Sequence, residues 1–223
     1  MRYGWMRRLV HLGVLLASLL CGVVPALAQP RARLIWAFGD SLAAGYGLPP
    51  AVGFTAQLQA ALRRAGVAAT VRNGGVAGDT AAQGLARLRW GLRGLGATPV
   101  LVIVELGAND MLRGLPVAQA QANLDGVLAE LARRHIPVLL AGMRAAPNLG
   151  RAYAAPFEAM YPVLARKYHV PLYPFFLDGV AGQRALIQAD GLHPNARGVQ
   201  VIVRRLLPRV QAALAPARRR SAA

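Results

Sequence analysis

The segment Gly39-Asp40-Ser41-Leu42 places a serine directly after an apolar, strand-like run. At such a strand-to-helix turn the serine Oγ is exposed and its backbone N–H lies near a helix start, where developing negative charge is favoured. These features suit a nucleophile. The same four residues would serve equally well as an ordinary helix N-cap, so this segment alone does not decide between the two interpretations.

Two glycine-rich turns could supply hydrogen-bond donors to the same site. Gly78 follows a second apolar run and could present its backbone N–H, with Asp79 or Thr80 capping the helix after it. Asn109 follows a third apolar run. A side-chain amide in such a place can stabilise a tetrahedral oxyanion by roughly 3–4 kcal/mol. Taken singly, each cluster is equally well explained as a turn with a helix cap.

Asp190 and His193 lie three residues apart, shortly before the last helical segment. On one turn of chain the carboxylate can hold the imidazole by one ring nitrogen, which leaves the other nitrogen free to take a proton from Ser41. An Asp-x-x-His spacing alone is common and is usually structural. A shared site is favoured because all four clusters occur together, each in a loop that can reach the same sheet edge.

Strand-like apolar runs alternate with longer segments of helical spacing along the chain. This alternation predicts βαβ units, and therefore a parallel sheet in a three-layer α/β/α sandwich whose ligands bind at the carboxyl ends of the strands. Pro208 predicts a kink or break in the last helix. The predicted strands are Leu34–Phe38, Ala69–Arg72, Pro99–Leu106, Pro137–Ala141 and Val170–Tyr173, and the predicted helices are Gly53–Ala65, Thr80–Trp90, Pro116–Arg134, Ala152–Tyr168 and Asn195–Leu214.

The N-terminal segment has a composition of its own. Residues 1–28 combine a basic start, an apolar run and small residues before Gln29, which is typical of a secretory signal peptide cut after Ala28. An uncut membrane anchor is the alternative, but the apolar run is shorter than the roughly 20 residues that a span needs. We therefore expect a periplasmic or secreted bacterial protein without a stable membrane anchor. Its single domain is expected over 29–215, with a disordered basic tail over 216–223.

Charge and composition exclude several classes of protein. With 55% hydrophobic residues the chain can bury a core, which excludes the disordered class. The net charge of +17 comes almost entirely from arginine, because Lys167 is the only lysine. These arginines are spread along the chain and do not alternate with aromatic residues, so nucleic-acid binding is not expected. Signal cleavage would remove Cys21, the only cysteine, so we expect no internal disulfide. We expect a monomer.

Taken together, the four clusters resemble the GDSL-type or SGNH hydrolases, which carry Ser, Gly, Asn and His in four blocks. The stretches Gly39–Gly47, Ala77–Leu88 and Leu106–Gly114 are similar to the blocks of one subgroup, the bacterial periplasmic arylesterases, lysophospholipases and acyl-CoA thioesterases I. The resemblance covers about Leu34 to Leu207. It implies a flavodoxin-like, five-stranded parallel sheet and a serine esterase or thioesterase that needs no metal or cofactor.

The resemblance also implies a role for each matching residue. Ser41 would be the nucleophile, His193 the general base and then acid, and Asp190 its orienting partner. The backbone N–H groups of Ser41 and Gly78 would form the oxyanion hole with the Asn109 side chain. The segment Met111–Pro116 would be the one that moves over the acyl group. The expected substrate contacts are Asp40, Leu42, Met111, Leu112, Met143, Pro147 and Leu192.

The sequence leaves the substrate and two other classes of protein open. Aryl esters, acyl-CoA thioesters, lysophospholipids and acetylated glycans are all candidate substrates, so an exported O-acetyl-glycan esterase of the same fold is an alternative. A metal-dependent phosphoesterase would usually need several histidines, whereas only His193 lies in a suitable motif. A non-enzymatic anion-binding protein would not need Asn109 as well as an Asp190/His193 pair. His135 and His169 follow helical segments and are expected to be structural.

Overall fold

The computed structural model describes residues 33–215; the expected signal peptide at 1–28 and the basic tail at 216–223 lie outside them. One parallel sheet has the strand order β2-β1-β3-β4-β5. In this doubly wound order, the chain reverses its direction of travel across the sheet between β1 and β3, and ligands bind in the crevice outside their carboxyl ends. The strands are β1 Arg33–Gly39, β2 Ala69–Gly75, β3 Leu101–Glu105, β4 Val138–Ala141 and β5 Leu172–Tyr173.

Helices cover both faces of this sheet. The first of the longer helices packs against the last, and the other three pack in sequence order against one another. The three-layer α/β/α sandwich with a flavodoxin-like sheet is therefore confirmed. Within 33–215 the helices are α1 Ser41–Ala44, α2 Phe54–Arg64, α3 Ala81–Gly94, α4 Ala108–Leu112, α5 Val117–Arg133, α6 Gly150–Lys167 and α7 Ala196–Leu214.

Strand β3 is the centre of the core. Every one of its side chains is buried, as expected for a strand covered by helices on both faces. Leu101 to Val104 are apolar, but the strand ends in Glu105, an acid that is only 1% exposed. A charged group is costly at such a depth, so the end of β3 requires a specific explanation.

The helix ends show where local sequence signals were sufficient. Thr80 caps α3: its Oγ1 accepts from the Gln83 backbone N–H at 3.4 Å, and the Gln83 Oε1 accepts from the Thr80 N–H at 2.9 Å.

The expected break at Pro208 is wrong, because α7 runs continuously through it. Pro208 and Arg204 both lie on the exposed face. The Arg204 carbonyl that loses its helical partner can therefore bind water instead.

His135 and His169 end α5 and α6 in the left-handed backbone region, with φ of 56° and 52°. This is the position just past a helix end that glycine usually occupies. Both histidines stand at helix ends, as the sequence predicted. Between residues 33 and 215, no helix is both long enough and apolar enough to cross a membrane.

Candidate active site

Ser41 stands at the sharp turn between β1 and α1. Asp40 caps the short helix, and its Oδ1 accepts from the Leu42 backbone N–H at 3.0 Å. Only glycine fits at position 39, since a Cβ there would collide with the backbone oxygen of Glu105 on the neighbouring strand. The turn leaves Ser41 9% exposed, at the floor of a surface cavity.

Asp190, His193 and Ser41 form one hydrogen-bonded row. The His193 Nε2 lies 2.8 Å from the Ser41 Oγ, although the two residues are 152 positions apart in the chain. The His193 Nδ1 lies 2.6 Å from the Asp190 Oδ2. The Tyr46 ring packs beside the imidazole, with ring centroids 4.6 Å apart. The predicted pairing of these three side chains is therefore present in the structure, and Tyr46 is a neighbour that the sequence did not reveal.

The Asp190 carboxylate is held as an anion by its own loop. Its Oδ1 accepts from the backbone N–H groups of His193 and Leu192, each at 3.0 Å. These two bonds, together with the His193 side chain, lower the pKa of Asp190 to about 2. An ionised Asp190 favours the imidazole tautomer with hydrogen on Nδ1, which leaves Nε2 free to accept a proton from Ser41.

Two of the residues that line the cavity, Ser41 and Gly78, could each supply a backbone N–H group to a substrate. Neither the Ser41 nor the Gly78 N–H has an acceptor among residues 33–215. Gly78 has a φ of 86°, a conformation that side-chain-bearing residues rarely adopt. The Arg113 guanidinium donates to the Gly78 carbonyl at 2.7 Å and steadies this turn from outside. Both N–H groups are thus free to donate to a developing oxyanion.

The Asn109 side chain lies with these groups, but its amide already has partners. The Asn109 Nδ2 donates to the Asp40 Oδ2 at 3.1 Å and to the backbone oxygen of Asp79 at 3.0 Å. An amide nitrogen has only two hydrogens. Asn109 can therefore donate to an oxyanion only if one of these two hydrogens is shared or released. The hydrogen bond to the Asp79 carbonyl is the one made to a neutral acceptor.

Arg87 links the first two loops, a role that no local motif signals. Its guanidinium forms an ion pair with Asp79, donates to the Gly39 carbonyl at 2.8 Å and stacks over the Phe38 ring at 4.2 Å. Thr80 alone caps α3, whereas Asp79 pairs with this arginine. Arg87 thus holds the Gly78 turn against the end of β1.

The cavity above Ser41 has a volume of about 600 Å³ and mainly apolar walls. Six of the seven expected substrate contacts line it, namely Leu42, Met111, Leu112, Met143, Pro147 and Leu192. Asp40 does not line it and is fully buried beneath the floor, because its carboxyl group caps α1 from below. The walls include several residues that the sequence did not single out, among them Tyr46, Phe175, Leu177 and Ile187.

The segment Met111–Pro116, expected to move over the acyl group, forms one side of this cavity. Met111 is buried and its Sδ accepts from the Ala146 N–H at 3.2 Å, whereas Leu112 is exposed at the cavity mouth. The Tyr153 hydroxyl donates to the Leu115 carbonyl at 3.0 Å. The segment is thus anchored at both ends, and its mobility stays a prediction.

Two of the acidic side chains at this sheet edge, Asp79 and Asp110, are satisfied by protein partners. Asp79 pairs with Arg87, and the Asp110 Oδ2 accepts from the Ala81 N–H at 2.7 Å. Among the described residues, no three His, Cys, Asp or Glu side chains are arranged to hold a metal ion.

Known proteins are similar to this chain over most of its length. The model of the GDSL-like lipase/acylhydrolase family matches residues 37–201. Esterase TesA of Pseudomonas aeruginosa and an arylesterase of Vibrio mimicus are each 39% identical to this chain; each match covers 81% of this chain and 89% of the relative. Thioesterase 1/protease 1/lysophospholipase L1 of Escherichia coli is 39% identical over 70% of this chain and 73% of its own length.

Among solved structures, the esterase AlinE4 of the SGNH-hydrolase family is similar to this chain. The sequence identity is 50% and the TM-score is 0.72, and the match covers 85% of this chain and 100% of AlinE4. The similarity therefore extends over most of this chain.

Proposed function

The chain belongs to the GDSL-like lipase/acylhydrolase family, and we propose that Ser41 is the nucleophile with which it cleaves small carboxylic esters. It is an ester-hydrolysing serine hydrolase with the SGNH fold. The observation that carries the proposal is the row Asp190–His193–Ser41, with contacts of 2.6 and 2.8 Å, at the floor of an apolar cavity. A serine hydroxyl beside a free imidazole nitrogen, itself oriented by a carboxylate, is the arrangement that activates an alcohol for acyl transfer.

In the first half-reaction the Ser41 Oγ attacks the substrate carbonyl carbon while its proton passes to the His193 Nε2. The carbonyl oxygen becomes an oxyanion and accepts from the N–H groups of Ser41 and Gly78, and from Asn109. When the intermediate collapses, the bond to the alcohol or thiol breaks and His193 gives its proton to the leaving group. The acyl group stays on Ser41 as an ester.

In the second half-reaction a water molecule replaces the leaving group. His193 takes one of its protons, and the resulting oxygen nucleophile attacks the acyl carbon. The bond to the Ser41 Oγ then breaks, and the serine regains its proton from the imidazole. Asp190 keeps its negative charge throughout and stabilises the imidazolium that forms in each half-reaction.

The cavity walls support the proposal that the acyl group is the part of the substrate that binds here. Its walls are largely apolar, with Arg144 stacked at 5.2 Å from the Phe175 ring as a cationic exception. Aryl esters are the proposed substrates, followed by acyl-CoA thioesters and lysophospholipids. Relatives named arylesterase and thioesterase/lysophospholipase support this range. We further propose that the protein is exported, which rests on the pattern of residues 1–28.

A fluorophosphonate probe and a set of substrates test the proposal. The probe should label Ser41, and Ser41→Ala should lose labelling and lower kcat for p-nitrophenyl esters by several orders of magnitude. A series of acyl chain lengths, with an acyl-CoA and a lysophospholipid alongside, ranks the substrate classes. Near wild-type turnover by a folded Ser41→Ala variant would refute the assignment. Turnover of acetylated glycans alone would favour the glycan esterase, and absence of labelling in folded protein would favour an anion-binding protein.

A further inference from the structure

We propose that Glu105 is a positioning residue for this reaction: its buried, protonated carboxyl group donates to Asp40, which in turn orients Asn109. The inference rests on the proposed function of Ser41 and adds a component beneath the active site. Glu105 does not contact the cavity and is not part of the Asp190–His193–Ser41 row. It acts through Asp40 and not on the substrate.

Glu105 lies at the last position of β3, directly beside Gly39 in the sheet register. Its Oε2 accepts from the Asp40 backbone N–H at 3.4 Å. Among residues 33–215 the Oε1 has no hydrogen-bond partner, and no Lys, Arg or His side chain forms an ion pair with the group. A fully buried carboxylate with only this one donor is poorly stabilised, so the neutral acid is favoured.

Asp40 is buried as deeply as Glu105, but its carboxyl group accepts more hydrogen bonds. Its Oδ1 accepts from the Leu42 N–H at 3.0 Å, and its Oδ2 accepts from the Asn109 amide at 3.1 Å. The Glu105 carboxyl group lies against Asp40, since its Oε2 is 3.4 Å from the Asp40 backbone nitrogen, and each carboxyl group affects the pKa of the other. Adjacent buried carboxyls do not both ionise, so they hold one proton between them.

The proton belongs on Glu105. Burial raises the pKa of both acids, but it raises the pKa of Asp40 only to about 6 because the Leu42 N–H, the Glu105 side chain, His193 and Asn109 oppose the effect. The pKa of Glu105 is raised well above its ordinary value by burial and by the negative charge of Asp40. Both shifts have the same consequence: Asp40 is the anion and Glu105 is the O–H donor.

The protonation state of Glu105 matters because Asp40 accepts a hydrogen bond from the Asn109 amide. As an anion with its remaining acceptor site filled by Glu105, Asp40 binds one Asn109 hydrogen firmly and so sets the plane of the amide. The second Asn109 hydrogen then points towards the Asp79 carbonyl and the site of the oxyanion. A second ionised carboxylate would place two negative charges behind a forming oxyanion. Glu105 should therefore influence kcat and leave ground-state binding of the ester largely unaffected.

Two substitutions of Glu105 distinguish a positioning role through hydrogen bonds from a role in packing alone. Glu105→Gln keeps both a donor towards Asp40 and an acceptor for the Asp40 N–H, so we expect kcat for a p-nitrophenyl ester within about fivefold of wild type. Glu105→Met fills a similar volume without either group, and we expect a kcat loss of about 10–100-fold with KM changed less than about threefold. In an Asn109→Ala background, Glu105→Met should cost less than about twofold, because the residue through which it acts is gone. Equal losses in Gln and Met, or an undiminished loss in the Asn109→Ala background, would overturn the proposal.

Infrared spectroscopy tests the proton directly, even if Glu105→Met does not fold. At pH 7 the wild-type protein should show a protonated-carboxyl stretch that Glu105→Gln lacks. Its absence from the wild type would overturn the proposal. Fluorophosphonate labelling of Ser41 in Glu105→Gln keeps the outcomes distinct, because the hydrolase function fails only if Ser41 is neither labelled nor required.

Discussion

Replacing Asp190 by asparagine tests the catalytic row with almost no change in shape. In the native loop the Asp190 Oδ1 accepts two backbone N–H bonds at 3.0 Å, and the Oδ2 faces the His193 Nδ1 at 2.6 Å. An asparagine oxygen can keep the two backbone bonds. Its NH₂ group would then meet the His193 Nδ1–H as donor against donor.

The imidazole can avoid this conflict by moving its proton from Nδ1 to Nε2. The Nε2 then no longer accepts from the Ser41 Oγ, so the general base is lost while the geometry remains. We expect kcat to fall by about 10³–10⁴-fold, equivalent to about 4–5 kcal/mol in the barrier. The fold should be little affected, because the Asp190 side chain is 36% exposed and its ion pair is screened by water.

The assay is p-nitrophenyl ester hydrolysis from pH 5 to 9, with thermal unfolding measured on the same preparations. Asp190→Ala is the matched control: it loses the loop acceptor as well, so we expect a lower Tm together with a similar loss of kcat. Because the pKa of Asp190 is about 2, this residue should not titrate in the assayed range. An Asp190→Asn variant with kcat within tenfold of wild type, while His193→Ala is inactive, would refute the tautomer argument.

Three further substitutions probe stability and specificity. The Arg133 and Arg134 side chains lower the pKa of Glu130 from 4.5 to about 2. The stabilisation from Glu130 is therefore complete above about pH 4.5 and is lost as the pH falls towards 2. Glu130→Gln should destabilise the fold by roughly 1–2 kcal/mol at pH 7 and much less at pH 3, measured by urea unfolding; equal losses at both would contradict this. His135→Gly should stabilise by roughly 0.5–1 kcal/mol by relieving its φ of 56°, and an unchanged or lower Tm would argue against strain there. Leu112→Ser, at the exposed cavity mouth, should raise KM for long acyl chains several-fold more than for acetate esters; a uniform rise would place Leu112 outside the acyl site.

The layered architecture could be predicted from sequence because its signals are local. The alternation of strand runs with helical segments, and the unbroken apolar stretch before Glu105, reflect periodicities that neighbouring residues determine. The caps at Thr80 and Asn195 are equally local, since each side chain bonds an N–H two or three residues further on. The short helix Ala108–Leu112 was missed because five residues are too few to show a helical period.

One wall of the acyl cavity was beyond sequence reasoning for the opposite reason. Phe175, Leu177 and Ile187 come from an irregular connection after β5, with no period to relate one residue to another. Asp40 illustrates the same limit. Its position beside Ser41 suggested contact with substrate, but whether a side chain faces a cavity or the core depends on the neighbouring strand.

Residue type and loop position alone brought Ser41, Gly78, Asn109, Asp190 and His193 forward as candidates for one site. The sheet brings these residues close together, because its strand order places the ends of β1 and β3 side by side. His193 thus lies within 2.8 Å of Ser41, although the two residues are 152 positions apart in the chain. Only the tertiary structure places Glu105 beneath the turn, since strand register sets its contact with Asp40 and burial removes water from both carboxyls. The proton affinity of Glu105 depends on those surroundings. In the sequence this residue is only the polar end of a predicted strand, whereas in the structure it is a buried acid behind the nucleophile.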